Sequence, residues 1–193
     1  MPNANENKVK FGLKNVHYAV KTTSEDGTVS FATPVAIPGA VNLSLSAEGD
    51  TTKFYADNTA YYVAVANDGY QGDLEVARLP ESFAKDVLME SLDSTDKVLV
   101  ERADVEPAEF ALLFEFAGDQ HATKHVLYNC TATRPSVAGK TTENSKTPDT
   151  STLTLTAAPL ADGRVKASTT AGTPDATAAN WYKSVWQPTA SGE

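Results

Sequence analysis

His121 and His125 stand four residues apart, the spacing that brings two imidazoles onto one metal ion when the chain is helical. Here they flank the start of an alternating, strand-like run. Along an extended chain, positions i and i+4 lie roughly 13 Å apart, too far to share an ion. They read as an exposed turn and a strand edge, and His17 has no partner nearby in the sequence. Cys130 is the single cysteine, so no intrachain disulfide can form, and a cysteine-rich zinc site is excluded. It shares the parity of Val126 and Tyr128, which reads as a buried thiol instead of a nucleophile. Asp50 and Asp57 could pair as acid and base, but nothing in the pattern builds a pocket around them. Gly69-Tyr70-Gln71-Gly72-Asp73 is a turn and lacks the glycine spacing of a phosphate cradle. No catalytic residues, no cofactor and no metal are expected, and the chain does not read as an enzyme.

The elements that would position these residues are mostly strands. Val9, Phe11 and Leu13 alternate with Lys8, Lys10, Gly12 and Lys14, and Val41, Leu43, Leu45 and Ala47 alternate with Asn42, Ser44, Ser46 and Glu48. Alternation of this kind predicts strands with one wet face. Tyr61-Tyr62-Val63-Ala64-Val65-Ala66 is apolar on both faces and needs cover on each side, from its own core and from something else. Further strands are predicted over Lys97–Glu101, Phe110–Phe116 and Val126–Thr133. A hairpin follows, with Leu153 and Leu155 alternating with threonines, a turn at Ala161-Asp162-Gly163-Arg164, and a return over Val165–Thr169. One helix is predicted over about 80–91, opened by Pro80 and Glu81 and carrying Phe83, Ala84, Val87 and Leu88 on one face. A long polar loop is predicted over about 48–59. Residues 1–7, 135–150 and 187–193 read as flexible, while Trp181, Tyr182 and Trp186 read as anchors that dock the C-terminal tail on the sheet. The fold class is mainly β, a β-sandwich or barrel-like single domain over 1–193 with one helix.

Composition narrows the function. Lys+Arg 16 against Asp+Glu 25 gives a formal net charge of -9 in 193 residues. Stable binding to nucleic acid needs basic surface to displace counterions, and anionic membranes need the same. Neither is expected as a partner. The N-terminus has no basic n-region or apolar h-region of a signal peptide, so Asn42-Leu43-Ser44 and Asn129-Cys130-Thr131 are read as chance glycosylation matches. Apolar strand faces left over after one core is filled point to contact with other subunits.

In order, the segments Lys8–Ala19, Pro38–Gly49, Phe54–Asn58, Gly69–Glu75, Leu79-Pro80, Leu153–Val165 and Asn180-Trp181-Tyr182 resemble the major tail protein, or tail tube protein, of long non-contractile-tailed bacteriophages of Gram-positive hosts. The resemblance spans roughly residues 8 to 188. It implies a β-sandwich with one helix that assembles into stacked hexameric rings. Sheets of neighbouring copies would join into one barrel around a lumen, which turns exposed edges into an assembly device. It implies an arm reaching an adjacent ring, here carrying Glu48, Asp50, Lys53, Phe54, Tyr55 and Asp57. It also implies an acidic lumen, with Glu115 and Asp119 as candidate wall residues, through which double-stranded DNA passes without specific binding. The implied partners are further copies of itself, a tape-measure protein, a tail terminator and a distal tail protein. The implied location is the virion tail, assembled in the host cytoplasm.

Two other readings stand beside it. A carbohydrate- or surface-binding β-sandwich would use Trp181, Tyr182 and Trp186 as a stacking platform. A small β-barrel hydrolase is disfavoured by the missing catalytic constellation.

Overall fold

The computed structural model describes residues 6–141 and 148–188. Residues 1–5, 142–147 and 189–193, parts of the three segments expected to be flexible, lie outside the described residues. The strands run β1 (Lys10–Thr23), β2 (Val29–Phe31), β3 (Val35–Ala36), β4 (Ala40–Glu48), β5 (Thr51–Ala56), β6 (Thr59–Val65) and β7 (Gly69–Val76). After helix α1 (Glu81–Asp86) come β8 (Ser91–Leu92), β9 (Leu99–Val100), β10 (Phe110–Gly118), β11 (Thr123–Ala132), β12 (Ser151–Ala157) and β13 (Lys166–Ser168), then helix α2 (Asp175–Asn180). The protein is mainly β, built on one large antiparallel sheet in the order β2-β1-β10-β11-β12-β7-β4.

This sheet curls on itself. β4 comes to lie beside β1, and the chain between β3 and β4 ties the two ends together. In that tie, the Ile37 N–H donates to the Val16 carbonyl (2.8 Å) and the Ala77 N–H donates to the Gly39 carbonyl (2.7 Å). The concave face holds the main core of Tyr18, Leu74, Phe110, Leu112, Leu127, Leu153 and Leu155, all of them buried. α1 plugs it with Phe83, whose ring meets Tyr18 and Phe110 edge-on at 5.1 and 5.5 Å. Fully burying each such side chain contributes about 1.5–3 kcal/mol. The convex face carries a second core, in which Ala111, Leu113, Val126 and Tyr128 are covered by Leu160, Trp181 and Val185 from the C-terminal part of the chain.

β1 stays in phase with β10 only because of a bulge. Lys14 pairs Glu115 and His17 pairs Leu113, so Asn15 and Val16 oppose one residue, with Asn15 at φ 52. The extra residue puts both Leu13 and Val16 on the concave side, against strict alternation.

Four differences from the sequence reading have local causes. The helix covers Glu81–Asp86 instead of about 80–91. Val87 and Leu88 are buried as expected, but the Val87 carbonyl is taken by the Ala108 N–H (2.7 Å) and Met89 turns at φ 59, which ends the helix. A second helix, α2, forms where only a docked tail was expected, with Pro174 before it and Asp175 in its first turn. The strand after the Ala161–Arg164 turn does not return along β12. β13 pairs β11 instead, His125 opposite Ser168 and Leu127 opposite Lys166, while β12 holds the other half of the same edge through Cys130 and Ala157. Leu160 and Val165, buried at the turn, draw the chain across. Finally, the expected loop over about 48–59 is not a loop. Most of it is β5 and its turn, one side of a hairpin with β6.

Candidate functional site

That hairpin is continuous with the β4–β7 pair. Glu48 pairs Gly69 at the end of the large sheet; the Asp68 N–H then donates to Glu48 O (3.0 Å) and the Ala66 N–H to Asp50 O (2.9 Å). Beyond this bridge, β5 and β6 pair only with each other. The joint turns at Gly49, where φ is +148 and a Cβ would stand 2.2 Å from the Ala66 carbonyl oxygen. At the tip, Asp57 and Asn58 have φ 50 and 58, the two-residue turn of primed type whose twist matches that of a hairpin. The result is a two-stranded arm whose six-residue first strand alone spans about 20 Å.

The arm presents large apolar side chains on both faces, among Thr51, Thr52 and Lys53, and packs against no core. Phe54 stands directly opposite Tyr62 on one face, and Lys53 opposite Val63 and Thr51 opposite Val65 on the other. Phe54 is 60% exposed, Tyr61 75% and Val65 76%, and Tyr55, Tyr62 and Val63 are exposed as well. A two-stranded hairpin without a core is marginal in water, and a contiguous exposed apolar patch marks a contact surface. Of the predicted arm residues, Lys53, Phe54, Tyr55 and Asp57 lie on the projecting hairpin, while Glu48 and Asp50 sit at its base; all six are exposed.

Beside the arm's root, the convex surface of β4, β7 and β12 is polar in every row. Asn42, Glu75 and Thr152 align across the three strands, then Ser44, Asp73 and Thr154, then Ser46, Gln71 and Thr156. Thr154 donates to Asp73 (2.8 Å) and Thr150 to Glu75 (2.6 Å). These rows contain carboxylates and no Lys or Arg. They end at β4, whose outer edge pairs with no strand among the described residues.

The two acids singled out as wall candidates lie elsewhere. Glu115 is 7% exposed on β10 and accepts hydrogen bonds from Asn15 Nδ2 (2.8 Å) and the Tyr182 hydroxyl (2.9 Å). It is a buried, satisfied carboxylate, and burial next to Glu115 pushes the Tyr182 hydroxyl pKa up. Asp119 is exposed in the β10–β11 turn and receives the Lys8 N–H (2.8 Å). Desolvation opposes its charge, yet the backbone N–H groups of Lys8 and Val9 hold its carboxyl below the usual range. Asn7, expected to be flexible, is tied to the same turn: it donates to His121 O (2.8 Å) and accepts from the Gln120 and His121 N–H groups.

The other chemistry-bearing groups are structural. His125 stacks on Phe114 (5.1 Å between ring centroids), and His121 is in the turn, so the two do not converge. Cys130 is buried, and desolvation pushes its thiol to about 12. No cluster of three metal-ligating side chains occurs among the described residues. Nor is any helix among them long and apolar enough to cross a membrane. The tail aromatics are engaged in docking. Trp181 is 3% exposed and donates to His125 O (3.3 Å), its ring stacks on Trp186, and Tyr182 stacks on His17 at 4.6 Å.

Sequence reasoning missed two features of this surface. The return strand of the arm was read as a separate two-sided strand, and the polar rows that carry Asp73 and Glu75 were not singled out. The signal for these rows was present, since Gln71, Asp73 and Glu75 alternate with Gly72 and Leu74. No protein-family model matches the chain, and no curated protein matches it either.

Proposed function

We propose that the chain is a structural virion protein, the tail tube subunit of a long non-contractile-tailed bacteriophage, which assembles into stacked hexameric rings that conduct DNA. The observation that supports this reading best is the arm: a hairpin with Phe54, Tyr55, Tyr61, Tyr62, Val63 and Val65 exposed and no core of its own chain to cover them. Such an element is marginal in water and is stabilised when another molecule buries it. Copies of this chain are the partner that the reading names. The unpaired edge of β4 offers the means of continuing the sheet from copy to copy, and the rows of Asp73, Glu75, Thr152 and Thr154 then line the lumen. Carboxylates and hydroxyls there repel phosphate and let DNA slide, where lysines would hold it by counterion release. Glu115 has no part in this wall, because Asn15 and Tyr182 cover it. A tape-measure protein, a tail terminator and a distal tail protein would complete the tail, and no enzymatic role is assigned.

The test is sedimentation velocity and negative-stain microscopy of the purified chain over a concentration series. Rings and hollow tubes are expected, and a monomer at every concentration contradicts the reading. The sugar-binding alternative draws no support from the tail, since Trp181 is buried, Tyr182 is half-buried against His17 and Glu115, and only Trp186 of the three is exposed.

A further inference from the structure

Between β4 and the start of β1 the curled sheet leaves a slot of about 430 Å³. Its floor is apolar, with Leu43 and Leu45 on one side and Phe116 on the other. Its rim is cationic. Lys10 Nζ stands 4.9 Å over the Phe116 ring, and Lys166 Nζ lies 2.9 Å from the Tyr70 hydroxyl. Neither lysine has a carboxylate partner among the described residues, although the chain as a whole is acidic. Their charge is felt inside the slot: the His125 imidazole is held down to about 4, first by burial and then by Lys166 and Lys10.

The arm carries the complement. Tyr55 is an exposed aromatic ring near the tip, and Asp57, two residues on, is the carboxylate in the turn itself. We propose that the slot between β4 and β1 receives the arm tip of a second copy of this chain, with the Tyr55 ring on the apolar floor and the Asp57 carboxylate between Lys10 and Lys166. An aromatic anchor in a pocket, with a charge pair fixing its register, is the arrangement that dominates interface energy. The inference rests on the reading of the arm as an assembly element, and adds the place where it lands.

Two measurements test it. Asp57→Cys and Lys166→Cys chains are mixed under assembling conditions and oxidised; native Cys130 is buried and does not compete. A disulfide between the two chains is expected, absent when either cysteine is left out. Separately, Asp57→Lys and the pair Lys10→Glu with Lys166→Glu should each raise the concentration needed for assembly on the order of tenfold or more. Combining them should restore it. All three are exposed or rim positions, and circular dichroism reports that each variant is folded. Tubes that form normally from Asp57→Lys protein, with no cross-link in the mixture, overturn the landing site and leave the tube reading standing. A disulfide formed within one chain of the Asp57→Cys, Lys166→Cys double variant at high dilution also overturns it. A wild-type chain that never assembles overturns both.

Discussion

At the scale of single residues, His125 ties the stability of the fold to pH. Its imidazole stacks on Phe114 and is held at about 4, below its ordinary 6.5, by burial and by Lys166 and Lys10. Between these values the unfolded chain binds a proton that the folded chain refuses, so stability falls as pH drops from about 6.5 to about 4. Urea midpoints measured across that window should decline, and His125→Gln should flatten this part of the decline. Tyr182 gives a second residue-level expectation. Its hydroxyl is one of two donors to the buried Glu115 carboxylate. Tyr182→Phe leaves that acceptor short of a partner and should cost about 1–3 kcal/mol in denaturant unfolding. An unchanged midpoint would mean that water replaces the hydroxyl. The burial of Glu115 was not legible in the sequence, because strand alternation put it on the face opposite Phe114 and Phe116 without showing that Tyr182 and Asn15 would close over it.

Among the elements, the arm is modular. Asp50 and Ala66 are hydrogen-bonded across its base, so residues 51–65 can be replaced by an Asn-Gly turn without disturbing β4 or β7. This variant should unfold at the same temperature as the full chain, because the arm buries nothing in either core, and it should fail to stack. Gly49→Val probes the joint. The side chain meets the Ala66 carbonyl and demands a backbone angle that valine rarely adopts, so the arm should be redirected and assembly weakened while the circular dichroism of the domain is kept. The strands of the large sheet were legible from period-two alternation. The arm was not, for a physical reason. Its turn is Asp57-Asn58 instead of an Asn-Gly or Asp-Gly pair, its first strand opens on polar residues, and a bulge at Tyr61 breaks the register between Phe54 and Tyr55. What was legible was that Tyr61–Ala66 needs cover on both sides, and on the isolated chain it has cover on neither.

Taken whole, the molecule has two cores of its own and a surface that they leave unfinished. The concave core closes around α1 except at the slot between β4 and β1, and the convex core closes under the C-terminal segment. What remains is an edge, an arm and a polar wall that meet at the β4–β7 pair. A net charge of -9 was readable from composition, but its placement was not; the fold sets two of the carboxylates, Asp73 and Glu75, among the hydroxyls of the β4–β7–β12 rows. If those rows face DNA, Asp73→Lys with Glu75→Lys should leave tubes intact and give them salt-sensitive DNA retention in a filter-binding assay, which the wild-type tubes lack. The most direct measurement is electron microscopy of the full chain beside the variant lacking residues 51–65, at matched concentration. Hollow tubes are expected from the first and, from the second, folded protein that goes no further than single rings. Tubes from the armless variant, or none from the full chain at any concentration, would contradict it.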